Sequence, residues 1–196
     1  MKDRAALGII QDAEEKKLIE PGGTVVEGTF GNTGIALTMI NNARGYKTII
    51  VMPEAASLEK RDILRNLGAE LRIVEVKPYK DPGNYQHISR RLAEELQAKG
   101  EGSVIWANQF DNTANYEFHA KTTAREIYDQ LDGKIDGFTC AIGTGGTLAG
   151  ASVGLKELNP NIKIACTDPQ GATMYRYFKD SVLEVTGDPS ETEGIG

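Results

Sequence analysis

The residues best suited to chemistry lie where apolar runs give way to glycine and hydroxyl side chains. Gly143-Thr144-Gly145-Gly146-Thr147 follows a strand-like run over 137–142 and precedes a helical pattern that starts near Leu148. Glycines in such a turn let the backbone close around a ligand. The helix behind them offers unpaired N–H groups and the positive end of a dipole. With the hydroxyls of Thr144 and Thr147 this describes a cup for an anion, most simply a phosphate. The competing reading is a tight strand-to-helix turn that binds nothing. No lysine follows the turn as in a P-loop, and its spacing is not that of the dinucleotide fingerprint.

A second turn of the same kind, Gly28-Thr29-Phe30-Gly31-Asn32-Thr33-Gly34, follows the β-branched run 24–27. Its backbone N–H groups, with Thr29 and Thr33, could hold a carboxylate. Asn32 can both donate and accept, which suits a ring oxygen. A glycine turn with Asn32 in a left-handed conformation is the plainer alternative. Lys2 stands at the start of a helical pattern and is the candidate for covalent chemistry. A Schiff-base lysine must lose its proton to attack a carbonyl, which burial or a cationic neighbour such as Arg4 assists. A solvated charge is the alternative for a lone lysine near the start of the chain. His87 and His119 have no cysteine at ligand spacing, so no metal site is expected. His119 reads either as a structural residue or as one lining the cleft.

These residues need a scaffold, and the hydrophobic pattern supplies one. Helical spacing predicts helices over 3–18, 35–44, 58–67 (capped by Ser57), 85–99, 116–131 and from the cup to about residue 158. Apolar runs predict strands over 24–27, 48–52, 71–76, 103–106, 135–142 and 162–167, with weak signals from Pro169 onward. Alternating strands and helices of this kind imply parallel sheets flanked by helices. Ligands in such sheets bind at the carboxyl ends of strands, where both glycine turns lie. A domain boundary is expected near 115, giving a smaller α/β domain over 1–115 with the 29–34 loop and part of a larger one over 116–196 with the 143–147 cup.

The chain has 196 residues, 40% hydrophobic and 26% charged, with 22 glycines, a glycine content above the usual share of about 7%. The net charge of −6 and the lack of a basic block argue against a nucleic-acid partner. No run approaches a membrane-spanning length, and no signal-like segment opens the chain. Cys140 and Cys166 read as buried free thiols of a reducing compartment, the cytoplasm or an organelle. Both ends fall in mid-pattern, so a fragment of a longer protein is expected.

Several motifs stand in order. Lys2-Asp3-Arg4, Thr29 to Gly34, Met52-Pro53-Glu54, Gly68-Ala69-Glu70-Leu71, Gln109-Phe110 with Asn112, His119 with Thr122-Thr123, the 143–147 cup and Glu193-Gly194-Ile195-Gly196 together resemble cysteine synthase (O-acetylserine sulfhydrylase) and its sister cystathionine β-synthase. These are pyridoxal-phosphate enzymes of fold type II, the tryptophan-synthase-β-like fold. The resemblance implies that Lys2 carries pyridoxal phosphate as a Schiff base and then removes the substrate's α-proton. It implies that Gly143, Thr144, Gly145, Gly146 and Thr147 hold the cofactor phosphate and that Asn32 binds the ring oxygen. Thr29, Gly31, Thr33 and Gln109 would bind the substrate carboxylate, and Gly194 and Gly196 would face the cofactor. The implied reaction joins O-acetylserine and sulfide to give cysteine and acetate, in a homodimer when full length. A cystathionine β-synthase-type enzyme and a truncated relative that binds cofactor or phosphate without turnover are the alternatives. One departure is plain: Phe30 replaces the family's serine and removes a hydroxyl near the carboxylate.

Overall fold

In the computed structural model, which describes residues 1–100, 102–183 and 194–195, the chain divides into two units, Met1–Ala114 and Asn115–Gly196. The first runs α1 (Lys2–Glu15), β1 (Thr24–Gly28), α2 (Asn32–Arg44), β2 (Lys47–Pro53), α3 (Leu58–Asn66), β3 (Glu70–Val74), α4 (Tyr85–Lys99) and β4 (Val104–Trp106). Its strands are parallel, in the order β3-β2-β1-β4.

Both faces of this sheet are covered. Val25, Ile50 and Met52 pack on Ile9, Ile10, Leu37 and Leu64 of α1, α2 and α3. Val26, Ile49 and Val51 pack on Leu92 and Ala93 of α4. Burial on both sides explains why these strands read as continuous apolar runs. Helix α1 is shorter than its pattern suggested, because Lys17 turns the chain at a φ of 55°. Helix α2 starts at Asn32 rather than Ile35, so the polar turn residues Asn32 and Thr33 form its first turn. Ser57 caps α3 as expected, accepting from the backbone N–H of Lys60 at 3.4 Å.

The second unit begins within α5 (Ala114–Phe118), which continues through a π-helical turn (His119–Thr123) into α6 (Ala124–Gln130). Then come β5 (Gly137–Ala141), α7 (Gly146–Leu158), β6 (Lys163–Thr167) and α8 (Met174–Asp180). Helix α8 falls where the sequence pattern was weak. Strands β5 and β6 are parallel, with Cys140 opposite Cys166. Both thiols are free but half-buried rather than buried, because this pair of strands is less completely covered than the first sheet.

Helix α7 carries Gly146, Gly150 and Gly154 four residues apart, so they line one face. A β-carbon on Gly150 would collide with the Tyr116 carbonyl and come within 2.5 Å of the His119 β-carbon. One on Gly154 would collide with the Ala120 carbonyl and come within 2.5 Å of the Ala124 β-carbon. The bare ridge lets α7 lie directly on the backbone of the α5–α6 segment, above a buried cluster of Ala124, Ala151, Leu155 and Ile162. Among the described residues no helix is long and apolar enough to cross a membrane. Gly150→Ala should destabilise the second unit by about 1–3 kcal/mol, the range for an overpacked core. Val153→Ala, on the side of α7 where that residue is 45% exposed, should change stability by less than about 0.5 kcal/mol. Urea-unfolding midpoints of the two variants check the contrast.

Candidate functional site

In the first unit, the side chain of Gln109 gathers two of the other expected residues, Lys2 and Thr33. Gln109 is buried just beyond β4, and its Oε1 accepts from Lys2 Nζ at 3.2 Å and from Thr33 Oγ1 at 2.5 Å. Gln109 Nε2 donates to the Gly28 carbonyl at 3.5 Å, and its backbone N–H donates to Glu27 Oε1 at 3.4 Å. The start of α1, the first turn of α2 and the end of β1 are thus tied to one residue. Thr29 is buried, and its Oγ1 accepts from the Gly31 N–H at 3.1 Å. Asn32 is exposed at the first residue of α2. Phe30 packs on the cluster of Ile50, Met52 and Leu64 and lies edge-on to Tyr85, with ring centres 5.4 Å apart.

Burial holds the Lys2 amine below the ordinary lysine value, and the charge of Glu27 opposes that shift. Of the two aids the sequence offered, burial and a cationic neighbour such as Arg4, burial is the one that lowers the value. Glu27 is 1% exposed on β1. Burial pushes its carboxyl up to about 8, against hydrogen bonds from Gln109 and Asn108 and the charge of Lys2. Its Oε2 has no hydrogen-bond partner. Reading the sequence did not single out Glu27. The available signal was a carboxylate inside a β-branched run, directly before a glycine turn.

In the second unit, the expected cup forms between β5 and α7. Gly145 sits at a φ of +84°, a conformation glycine adopts without strain, and the space where its β-carbon would stand is open. A β-carbon on Gly146 would collide with the Asn115 side-chain amide, and one on Gly143 with the Gly194 carbonyl. Gly194 is therefore brought against the cup, while Gly196 lies outside the described residues. Asn115 Nδ2 donates to Thr144 Oγ1 at 3.1 Å. His119 is buried, with Nδ1 2.8 Å from Thr123 Oγ1 and Nε2 3.3 Å from Thr147 Oγ1. It is a structural residue with hydroxyl partners at both ring nitrogens, linking the π-helical turn to the first turn of α7.

The first turn of α7 has no side-chain cap. Its leading N–H groups lack intrahelical partners and follow a turn in which Gly143 and Gly146 leave no room for a β-carbon. That arrangement fits a phosphate. The half-buried Lys2 amine, held below its ordinary pKa, fits a group that presents a carbonyl carbon. Parallel α/β units with these two features fit a class of cofactor-dependent enzymes. The chain belongs to the pyridoxal-phosphate dependent enzyme family, which it matches along residues 1–196.

Relatives agree with that placement. Cysteine synthase 1 of Neurospora crassa is 48% identical over 199 residues, covering 100% of this chain and 51% of the relative. Cystathionine beta-synthase of Apis mellifera is 44% identical over 203 residues, covering 100% of this chain and 38% of the relative. The crystal structure of O-ureido-L-serine synthase superposes with a TM-score of 0.85 at 35% identity, covering 100% of this chain and 58% of that one. A hydrogen sulfide-producing enzyme from Fusobacterium nucleatum gives 0.82 at 34% identity, covering 100% and 59%. The fold is the α/β, fold type II arrangement of parallel sheets flanked by helices, and the family's cofactor is pyridoxal phosphate. The chain spans about half the length of the cysteine synthases it matches.

The Glu27 shift has a consequence for stability. In the folded chain the carboxyl keeps its proton up to about 8, whereas unfolded it releases it near the ordinary value of 4.5. The unfolded chain binds fewer protons between those values, so stability is highest below the lower one and falls as pH rises through the upper. Glu27→Gln should flatten that part of the profile, measured as urea-unfolding free energy against pH.

Proposed function

We propose that the whole protein is a pyridoxal-phosphate dependent β-replacement enzyme of the cysteine synthase kind, joining O-acetylserine and sulfide to give cysteine and acetate. The observation that carries this reading is the Lys2 amine, half-buried and held with Thr33 on the one oxygen of Gln109. When bound, pyridoxal phosphate supplies the electron sink for negative charge at the substrate's α-carbon. Lys2 is the covalent anchor and, once released, the base that takes the α-proton on Nζ. Both roles need an unprotonated amine, which burial favours. Gly143, Thr144, Gly145, Gly146 and Thr147 receive the phosphate, and the Gly194–Gly196 loop faces the cofactor. Asn32 hydrogen-bonds the ring oxygen. Thr29, Gly31, Thr33 and Gln109 hold the substrate carboxylate, fixing the α-proton for Lys2. The same reading makes residues 1–115 a smaller domain and 116–196 part of a larger one. It makes a homodimer the assembly and the cytoplasm the compartment.

Phe30 supports a second reading, a relative that binds the cofactor without turnover, because the loop presents a ring where the family's serine presents a hydroxyl. One experiment separates the two. Pyridoxal phosphate is added, the visible band is recorded, the adduct is reduced with borohydride and its site is mapped by mass spectrometry. The adduct should sit on Lys2 and be lost in Lys2→Ala. No adduct on a folded chain, or one elsewhere, overturns the cofactor assignment. Acetate release from O-acetylserine should follow the adduct and fall by about 10²–10⁴-fold without the lysine base. An adduct without acetate release favours the second reading.

A further inference from the structure

Glu27 is a buried ionisable group that the proposed reaction does not use. It lies on the same face of β1 as Val25, two residues away in a period-two strand, under α1 and α2. One carboxyl oxygen receives the Gln109 N–H and the other has no hydrogen-bond partner. An unpartnered buried oxygen is destabilising in itself, so the effect of this carboxyl is to be sought in its neighbours. The neighbour it holds directly is Gln109, whose side chain in turn holds Lys2 and Thr33.

We propose that Glu27 is a positioning residue for Lys2: acting through Gln109 and through its own charge, it sets where the Lys2 amine sits and how firmly that amine keeps a proton. The inference rests on Lys2 being the reactive amine of the proposed function. Glu27 fixes the backbone of Gln109, and Gln109 Oε1 aims Lys2 Nζ. Electrostatic coupling adds to this geometry. Among the described residues, the ionisable groups coupled to Glu27 are Lys2 from α1 and Tyr85 from α4. Asn108 and Gln109, from the segment after β4, contribute uncharged donors. The carboxylate strengthens the hold of Lys2 on its proton, and the ammonium weakens the hold of Glu27 by the same free energy. While Glu27 keeps its proton it is neutral, and its pull on the Lys2 proton is absent. Once Glu27 ionises, Lys2 holds its proton more firmly. The charge state of the amine is therefore tied to that of the carboxyl.

The test uses the chain without cofactor, so it does not depend on the cofactor assignment. Amines are pulse-labelled with acetic anhydride across a pH series, and the rate at each lysine is read by mass spectrometry. Lys121, whose side chain is 77% exposed, is the internal reference. Glu27→Gln should move the Lys2 profile to lower pH and speed its labelling in alkaline buffer by up to about tenfold, the equivalent of one pKa unit. Glu27→Asp, which keeps the charge, should return the profile towards wild type, and Lys121 should not change. A Lys2 profile that keeps its midpoint in Glu27→Gln, or that only speeds up equally at every pH, overturns the proposal. If Glu27→Gln does not fold, the Glu27 carboxyl can be followed by carbon-13 NMR in wild type and in Lys2→Met. Its midpoint should rise when the lysine charge is removed, and an unchanged midpoint overturns the coupling. Failure of pyridoxal phosphate to label Lys2, beside a shifted acetylation profile, would sink the cofactor assignment and leave the Glu27–Lys2 coupling standing.

Discussion

Gln109 can hold Lys2, Thr33 and Gly28 together because of where the strand order of its sheet reverses. From β1 the chain moves outward through β2 and β3, and β4 then returns to pair on the other side of β1. The segments that leave the carboxyl ends of β1 and β4 therefore run to opposite sides. Ligand sites form at such switch points in parallel sheets. Thr29 and Thr33 follow β1, and Gln109 follows β4. Packing of α1 against α2, through Ile9, Ile10 and Leu37, brings the first residue of α1 to the same place. Lys2 reaches Gln109 because the sheet has this topology.

Beneath these polar residues the sheet is apolar. Val25, Ile50 and Met52 form the layer in which Glu27 is embedded, and a carboxyl there favours its neutral form. The same exclusion of water pulls the Lys2 amine towards its neutral form. One physical cause thus acts on an acid and a base in opposite directions. The result is an acid and a base that are both shifted towards their neutral forms. A lysine at the surface would stay an ammonium ion and could neither attack a carbonyl nor take a proton from carbon.

In the second unit the equivalent constraint is close approach. Helix α7 starts within the glycine turn 143–147, and its first turn is firmly placed. The ridge of Gly146, Gly150 and Gly154 seats it on the α5–α6 backbone, and His119 links its first turn to the π-helical turn. A π-helical turn inserts a residue into the helix, and here it coincides with a buried histidine bridging two threonines. The glycines of α7 weaken it as an isolated helix, and packing compensates.

Much of the architecture was legible in the chain itself. Runs such as 48–52 are apolar at every position and close at a proline, so a doubly covered strand followed directly. The two glycine turns declared themselves because few other residues tolerate that backbone. Ordered motifs alone tie Lys2, Asn32 and the 143–147 turn to one family. Where α2 begins, what α8 is and the π-helical turn at His119 were not legible, because local patterning leaves those boundaries to packing. The ridge on α7 was present as a four-residue spacing of glycines, but its meaning depends on the helix laid against it. Long-range pairing was the least visible. Lys2 and Gln109 are 107 residues apart, Glu27 and Gln109 are 82 apart, and Thr33 and Gln109 are 76 apart. By itself the sequence determined which elements form and which residue types could bind an anion or attack a carbonyl. The tertiary structure decided that Glu27 belongs with Lys2, because strand order and helix packing set those distances and the burial that goes with them.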